Sequence, residues 1–222
     1  MNICMQAIRT FVAVLSITGL WSAGAMAADP PPATTHDGLE IVKDSRLDLV
    51  YRRPGVDMSG YTKIMLDPVE VAFKKQWTQD FRQVSKHDRE RIRTELAQEF
   101  HDILVDELQT KGGYQIVDAP GPDVLRFSAG IFELYINAPD TMTTGRSRTY
   151  ALSTGEATLG AELTDSESGA VIARAADRER GRESGTMQWI TRSQNRADAR
   201  AMLRKWASTL REGLDAARGV SK

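Results

Sequence analysis

Histidine, the usual proton carrier near neutral pH, occurs three times in this chain, at His36, His87 and His101. Neither His87 nor His101 belongs to an H-E-x-x-H pattern, in which one helix face presents two zinc ligands. His101 beside Asp102 or Glu99 could touch a metal, but structural zinc usually takes cysteine or further histidines. The only cysteine is Cys4. Serine chemistry needs a G-x-S-x-G elbow or an S-x-x-K pair; neither occurs, and Ser153 is a loop serine with no base near it in sequence. The phosphate-cradling G-x-x-x-x-G-K-[ST] loop is also missing. Carboxylates are plentiful, among them Asp88, Glu90, Asp102, Asp106, Glu162 and Asp165. Two of them at a suitable separation could cleave a glycan, but sequence does not give separations. No catalytic residue, metal ligand or cofactor is therefore assigned.

Arginine offers binding chemistry instead, since its planar fork grips carboxylate or phosphate through two bonds. Arg146 and Arg148, with Tyr150, fall in a Thr-, Ser- and Gly-rich stretch over 137–156. It is longer than most connections in compact domains, and long connections often carry function. These three residues are the candidate binding site. A second group, Arg174, Arg178, Arg180 and Arg182, includes three that alternate along a strand, with Asp177, Glu179 and Glu183 on the other phase. That pattern reads as a solvated, charge-protected strand edge.

The elements that position these residues follow from periodicity. Ile64 and Leu66 alternate, Pro68 interrupts, and alternation resumes at Val69, Val71 and Phe73, which predicts a strand bent near Pro68. Ser85 can cap a helix over 86–111, with Ile92, Leu96, Phe100, Ile103, Leu104 and Leu108 as its apolar stripe and Gly112-Gly113 as its stop. A strand is expected at Tyr114–Asp118. In 123–136, Leu125, Phe127, Ala129 and Ile131 share one face while Phe132, Leu134 and Ile136 fall on the opposite phase, and Gly130 suggests the bulge between them. Ala157–Leu163 and Val171–Ala175 flank the turn Asp165–Gly169 as a hairpin. A second helix spans 194–218, with Leu203, Trp206, Leu210 and Leu214 inward. Residues 43–60 commit to no regular element. The order predicts an α+β domain, a mainly antiparallel β-sheet covered by two long amphipathic helices.

The first 27 residues hold one charge, Arg9, then an apolar run from Phe11 to Trp21 and the small-x-small site Ala25-Met26-Ala27. This is the build of a signal peptide cleaved after Ala27, and the run is short of the ~20 residues that span a bilayer. The expected address is the periplasm, with no transmembrane helix after cleavage. The cleavage point lacks a cysteine, so no lipid anchor is expected. What remains, 195 residues with 28 basic against 30 acidic, lacks the basic excess of a nucleic-acid binder. It divides into a Pro-rich flexible tether over 28–42 and one domain over 43–222.

The opening Tyr61-x-Lys63-Ile64-x-Leu66-x-Pro68-Val69, the Leu108-x5-Tyr114-x-Ile116-Val117 helix exit, Pro120-Gly121-Pro122-Asp123-Val124-Leu125, the Leu163-x-Asp165-Ser166-x-Ser168-Gly169 hairpin and the late Trp206-Ala207 with Leu214-Asp215 occur in this order. Together they resemble the DUF3313 family of bacterial envelope proteins over about residues 45–217. The resemblance implies no activity; many members look like lipoproteins, from which this chain departs at its cleavage site. The function expected is that of an exported, non-enzymatic binding or assembly module whose partner is another envelope protein. An envelope-polymer hydrolase using a carboxylate pair, and a small-ligand binder, are the alternatives.

Overall fold

The computed structural model describes residues 30–137, 139, 149–151, 155–181, 188–190 and 192–219; residues 1–27, Arg146, Arg148, Ser153, Arg182 and Glu183 lie outside these. One sheet contains β1 (Glu40–Ile41), β2 (Leu49–Arg52), β3 (Lys63–Leu66), β4 (Glu70–Phe73), β5 (Gln115–Ile116), β6 (Val124–Ile136), β8 (Gly155–Asp165) and β9 (Val171–Arg180). Its order is β1-β2-β9-β8-β6-β3-β5, with β4 also beside β6. A separate antiparallel pair joins β7 (Thr149–Ala151) to β10 (Gln188–Ile190). The helices are α1 (Lys75–Asp80), α2 (Lys86–Val105), continued by a π-helical turn over Asp106–Lys111, and α3 (Arg192–Ala217).

The sheet is mixed rather than mainly antiparallel. β1, β2, β9, β8 and β6 pair antiparallel, whereas β3 and β4 run parallel to β6 and β5 runs parallel to β3. The cause is α2, which carries the chain back between β4 and β5; parallel neighbours need such a crossover. Apolar alternation reports which face a strand buries but not its direction. Two long helices are present as expected, and a short third one, α1, buries Trp77 completely.

Alternation sorts the sheet into two faces. Leu125, Phe127, Ala129 and Ile131 of β6, with Ala157, Leu159 and Leu163 of β8, face the helices and share one core with Phe100, Leu104, Leu203 and Trp206. Burial of such side chains contributes about 1.5–3 kcal/mol each. Ser85 caps α2 as its sequence implies, its hydroxyl accepting from the Asp88 amide at 3.0 Å. The break between β3 and β4 falls at Asp67–Val69, where Pro68 removes an amide donor.

Three further expectations are corrected. The bulge in β6 lies between Phe132 and Tyr135 rather than at Gly130, with Glu133 at φ 51°; it returns Leu134 to the buried face. The 137–156 stretch is not wholly loop, because β7 and the start of β8 fall inside it. From Pro32 on, the expected tether is built into the body. Leu39 is fully buried, β1 pairs with β2, and the Tyr51 hydroxyl donates to the Pro32 carbonyl at 2.8 Å. Residues 43–60 also hold a strand, β2, whose four residues are too few for alternation to declare.

Candidate functional site

The second face of the sheet carries small and polar residues. Ser128, Gly130 and Phe132 of β6 stand beside Glu162, Gly160 and Thr158 of β8, and these beside Arg174, Ala176 and Arg178 of β9. An open groove of about 570 Å³ crosses this face. Its floor is shaped by the two glycines. A Cβ on Gly130 would stand 2.5 Å from Cζ of Phe132, and one on Gly160 would stand 2.8 Å from Cε2. Both are far inside van der Waals contact, so the Phe132 ring lies over the bare backbone of two adjacent strands. The ring is still 38% exposed. The arrangement is an aromatic platform seated on glycine, with Leu49 and Ala176 extending the apolar surface.

Charged groups rim the platform. Asp67 accepts from Arg126 Nε at 2.9 and 3.0 Å and from the Ser128 hydroxyl. Partial burial pushes the Asp67 carboxyl up, but the bonds from Arg126 and Ser128 outweigh it and hold it below the usual carboxylate range. Arg174 donates to Glu162 at 2.8 Å and to Asp37 at 2.6 Å. The Thr35 hydroxyl and Arg174 together hold Asp37 at a pKa of about 2. Toward the other end, Glu156 accepts from Lys74 and from Arg178, each at 2.7 Å, with Arg180 at 3.6 Å. Glu70 pairs with Gly130 in register and is exposed.

The sequence-derived candidates fall as follows. Arg146 and Arg148 lie outside the described residues. Tyr150 stands in β7 opposite Trp189, and its side chain is likewise outside. Arg174, Arg178 and Arg180 do alternate on one face, but Glu162 and Glu156 pair with them, and β2 covers part of the edge they were expected to form. Asp177, on the opposite phase, is buried rather than solvated: it accepts from Trp206 Nε1 at 2.8 Å and from the Asp48 amide at 2.9 Å. His101 is half-exposed, with Nδ1 3.6 Å from Asp102. Among the described residues, no group of three or more His, Cys, Asp or Glu could hold a metal ion. The carboxylates named for glycan chemistry have local partners: Asp88 with Ser85, Glu90 with Arg93, Asp102 with Gln98, Asp106 with Lys111, Glu162 with Arg174, and Asp165 with Tyr61 and Ser168.

A second polar constellation is internal. Under the π-turn, Arg211 donates to Glu107 at 3.2 Å and to Asp215 at 2.6 Å, and the Tyr114 hydroxyl donates to Asp215 at 3.1 Å. All but Tyr114 are charged, and all four are buried. Their mutual bonds satisfy one another and tie the end of α2 to α3, which is a structural role.

The profile of a family described as "Protein of unknown function (DUF3313)" matches residues 35–210. The chain belongs to the DUF3313 family. No curated protein matches it. Among solved structures, the DUF3313 chain is similar to the PelC dodecamer of Paraburkholderia phytofirmans at 16% identity and a TM-score of 0.38, covering 73% of this chain and 96% of that one. It is also similar to a minor lipoprotein of Acinetobacter baumannii at 12% identity and a TM-score of 0.36, covering 71% and 95%. Likeness at this level carries no argument about activity. The platform of Phe132, Gly130, Gly160 and Glu70 was not foreseen as a site. Its trace in the sequence is a glycine on each of two predicted strands and an aromatic residue out of phase with its strand's buried face.

Proposed function

We propose that residues 1–27 export this DUF3313 protein to the periplasm, and that it works there as a non-enzymatic binding or assembly module of the cell envelope. Its docking surface is the open sheet face around Phe132. The observation that carries this reading is the groove itself, an exposed aromatic ring built onto two glycines opposite the helix-covered face. The signal-like N-terminus supports the address. Among the described residues no helix is long and apolar enough to cross a membrane. Arg146, Arg148 and Tyr150 are proposed as a second contact. A carboxylate-pair hydrolase would need one carboxyl kept protonated near neutrality. Asp67 is pushed in the opposite direction and Glu162 is ion-paired, so the groove favours binding over hydrolysis. A small-ligand site would enclose most of its ligand, which an open groove does not.

The test is site-specific photocrosslinking in intact cells. The crosslinker is placed at Thr158, beside Phe132, at Arg148, and at Glu90 on the helix side as a control. One envelope protein captured from Thr158 and not from Glu90, and recaptured by a reciprocal crosslinker on that partner, is expected. Capture from Arg148 alone would move the docking surface to the 137–156 connection. Specific capture from neither position, with the protein confirmed in the periplasm, would overturn the reading.

A further inference from the structure

The groove takes a chemistry that its charges define. Around the glycine-seated ring, four carboxylates (Asp37, Asp67, Glu70 and Glu162) face two guanidiniums (Arg126 and Arg174). Arg126 is held by Asp67, and Arg174 is shared between Asp37 and Glu162. Glu70 is left exposed, with no ion-pair partner among the described residues. In register it stands directly beside the platform. It pairs with Gly130, over which the Phe132 ring lies, and adjacent strands stand about 4.8 Å apart. An exposed aromatic face with a free carboxylate at its edge is the arrangement that attracts a cation from both sides. The opposite end of the face is different: Lys74 and Arg178 are both bonded to Glu156, with Arg180 close by, so cations of this chain already occupy it.

Resting on the reading of this face as the docking surface, we propose that it receives an arginine side chain of a partner polypeptide. The guanidinium stacks on the Phe132 ring and pairs with Glu70. Arginine fits better than lysine because its planar, weakly hydrated head stacks on aromatic faces and can pair with a carboxylate at the same time. The groove volume, about 570 Å³, exceeds one guanidinium. The apolar strip over Ala176 and Leu49 takes an aliphatic neighbour of that arginine. The occupant is thus a segment with arginine flanked by aliphatic residues.

The probe is the blocked dipeptide acetyl-Leu-Arg-N-methylamide. It is titrated into the isotopically labelled mature protein and followed by amide chemical shifts, with the citrulline analogue as its neutral isostere. Saturable shifts centred on Gly130, Phe132, Gly160 and Ala176 are expected. Cation–π attraction and an exposed ion pair, each contributing about 0.5–1 kcal/mol, give binding about fivefold to thirtyfold weaker with citrulline. Glu70→Gln should weaken the arginine probe about twofold to fivefold without changing the citrulline probe. Phe132→Leu should remove the cation–π share and leave the two probes only about twofold to fivefold apart, the share of the Glu70 ion pair, since it keeps the glycines covered but removes the π face. Circular dichroism and a melting curve confirm that each variant is folded. Equal binding of the two probes, shifts confined to the helix side, or no shifts at all would overturn the proposal. The crosslinking from Thr158 separates this failure from failure of the docking surface. A partner captured there through a segment without arginine overturns only the arginine, whereas no partner overturns the surface.

Discussion

Gly130→Ala tests the platform through a change of sign. The added Cβ would meet Phe132 Cζ at 2.5 Å and Cε2 at 2.7 Å, while the nearest backbone atom, the Glu70 carbonyl oxygen, stays at 3.4 Å. The ring must therefore leave and the backbone need not. Phe132 is 38% exposed in place, so roughly 60% of a side chain that can bury 150–250 Å² is covered. Full exposure would cost about 3 kcal/mol at 25 cal/mol per Å². A ring that swings aside and keeps half its contacts loses about 1.5 kcal/mol. Against this, alanine in a strand gains about 0.5–1 kcal/mol over glycine by restricting the unfolded chain. The single variant should be destabilised by about 0.5–1 kcal/mol. In a Phe132→Ala background the clash is absent, and Gly130→Ala should stabilise by about 0.5–1 kcal/mol. The coupling, about 1.5 kcal/mol, is read from urea unfolding of the four proteins of the cycle. The same sign in both backgrounds would refute the seated ring, because the glycine would then be serving the backbone rather than Phe132.

Two further outcomes follow from polar contacts. Trp206→Phe removes the donor that reaches the buried Asp177 at 2.8 Å; loss of a bond to a charged acceptor, with a smaller ring in the core, should cost about 2–4 kcal/mol in urea unfolding, and a cost below about 1 kcal/mol would show that the bond contributes nothing. Asp37, held at a pKa of about 2 by Thr35 and Arg174, lies below the ordinary carboxylate value of 3.8; its contribution to stability is present above that value and lost as pH falls toward 2, so Asp37→Asn should lower the melting temperature near neutrality and flatten its decline between pH 4 and 2, whereas a decline as steep as in the parent would exclude Asp37 from the acid limb.

The helix-facing half of the structure was readable because each buried side chain advertises itself by period. Ser85, Phe100 and Leu104 in α2, and Leu203, Trp206 and Leu214 in α3, fall where their spacing places them, and the β8–β9 hairpin follows from alternation around Gly169. Strand direction was not readable, since Ile64 and Leu66 alternate identically whether β6 runs with them or against them. Short elements escaped for want of length. β2 and β10 have too few residues to show a period, and in α1 only Trp77 marks the burial.

The candidate site was hidden for a different reason: it is made by missing side chains. Alternation identifies a face by the apolar bulk it buries, and on the open face of β6 and β8 the central positions are Gly130 and Gly160, which add no bulk. Within β6 alone, Gly130 followed by an out-of-phase Phe132 is explained most simply by a bulge, and the strand does contain one, three residues further on. Only the register between β6 and β8, which sets Gly130 opposite Gly160, shows that two vacancies on different strands make one seat for one ring. That pairing is a long-range fact, so no local window could carry it. The register between β4 and β6 places Glu70 beside the seat from a third strand; the arginines at 146, 148 and 174–182 are conspicuous in sequence, whereas a single glutamate is not. A charge that is paired in the fold looks no different in sequence from one that is not, and on this face it is the pairing that decides which groups are left for a partner.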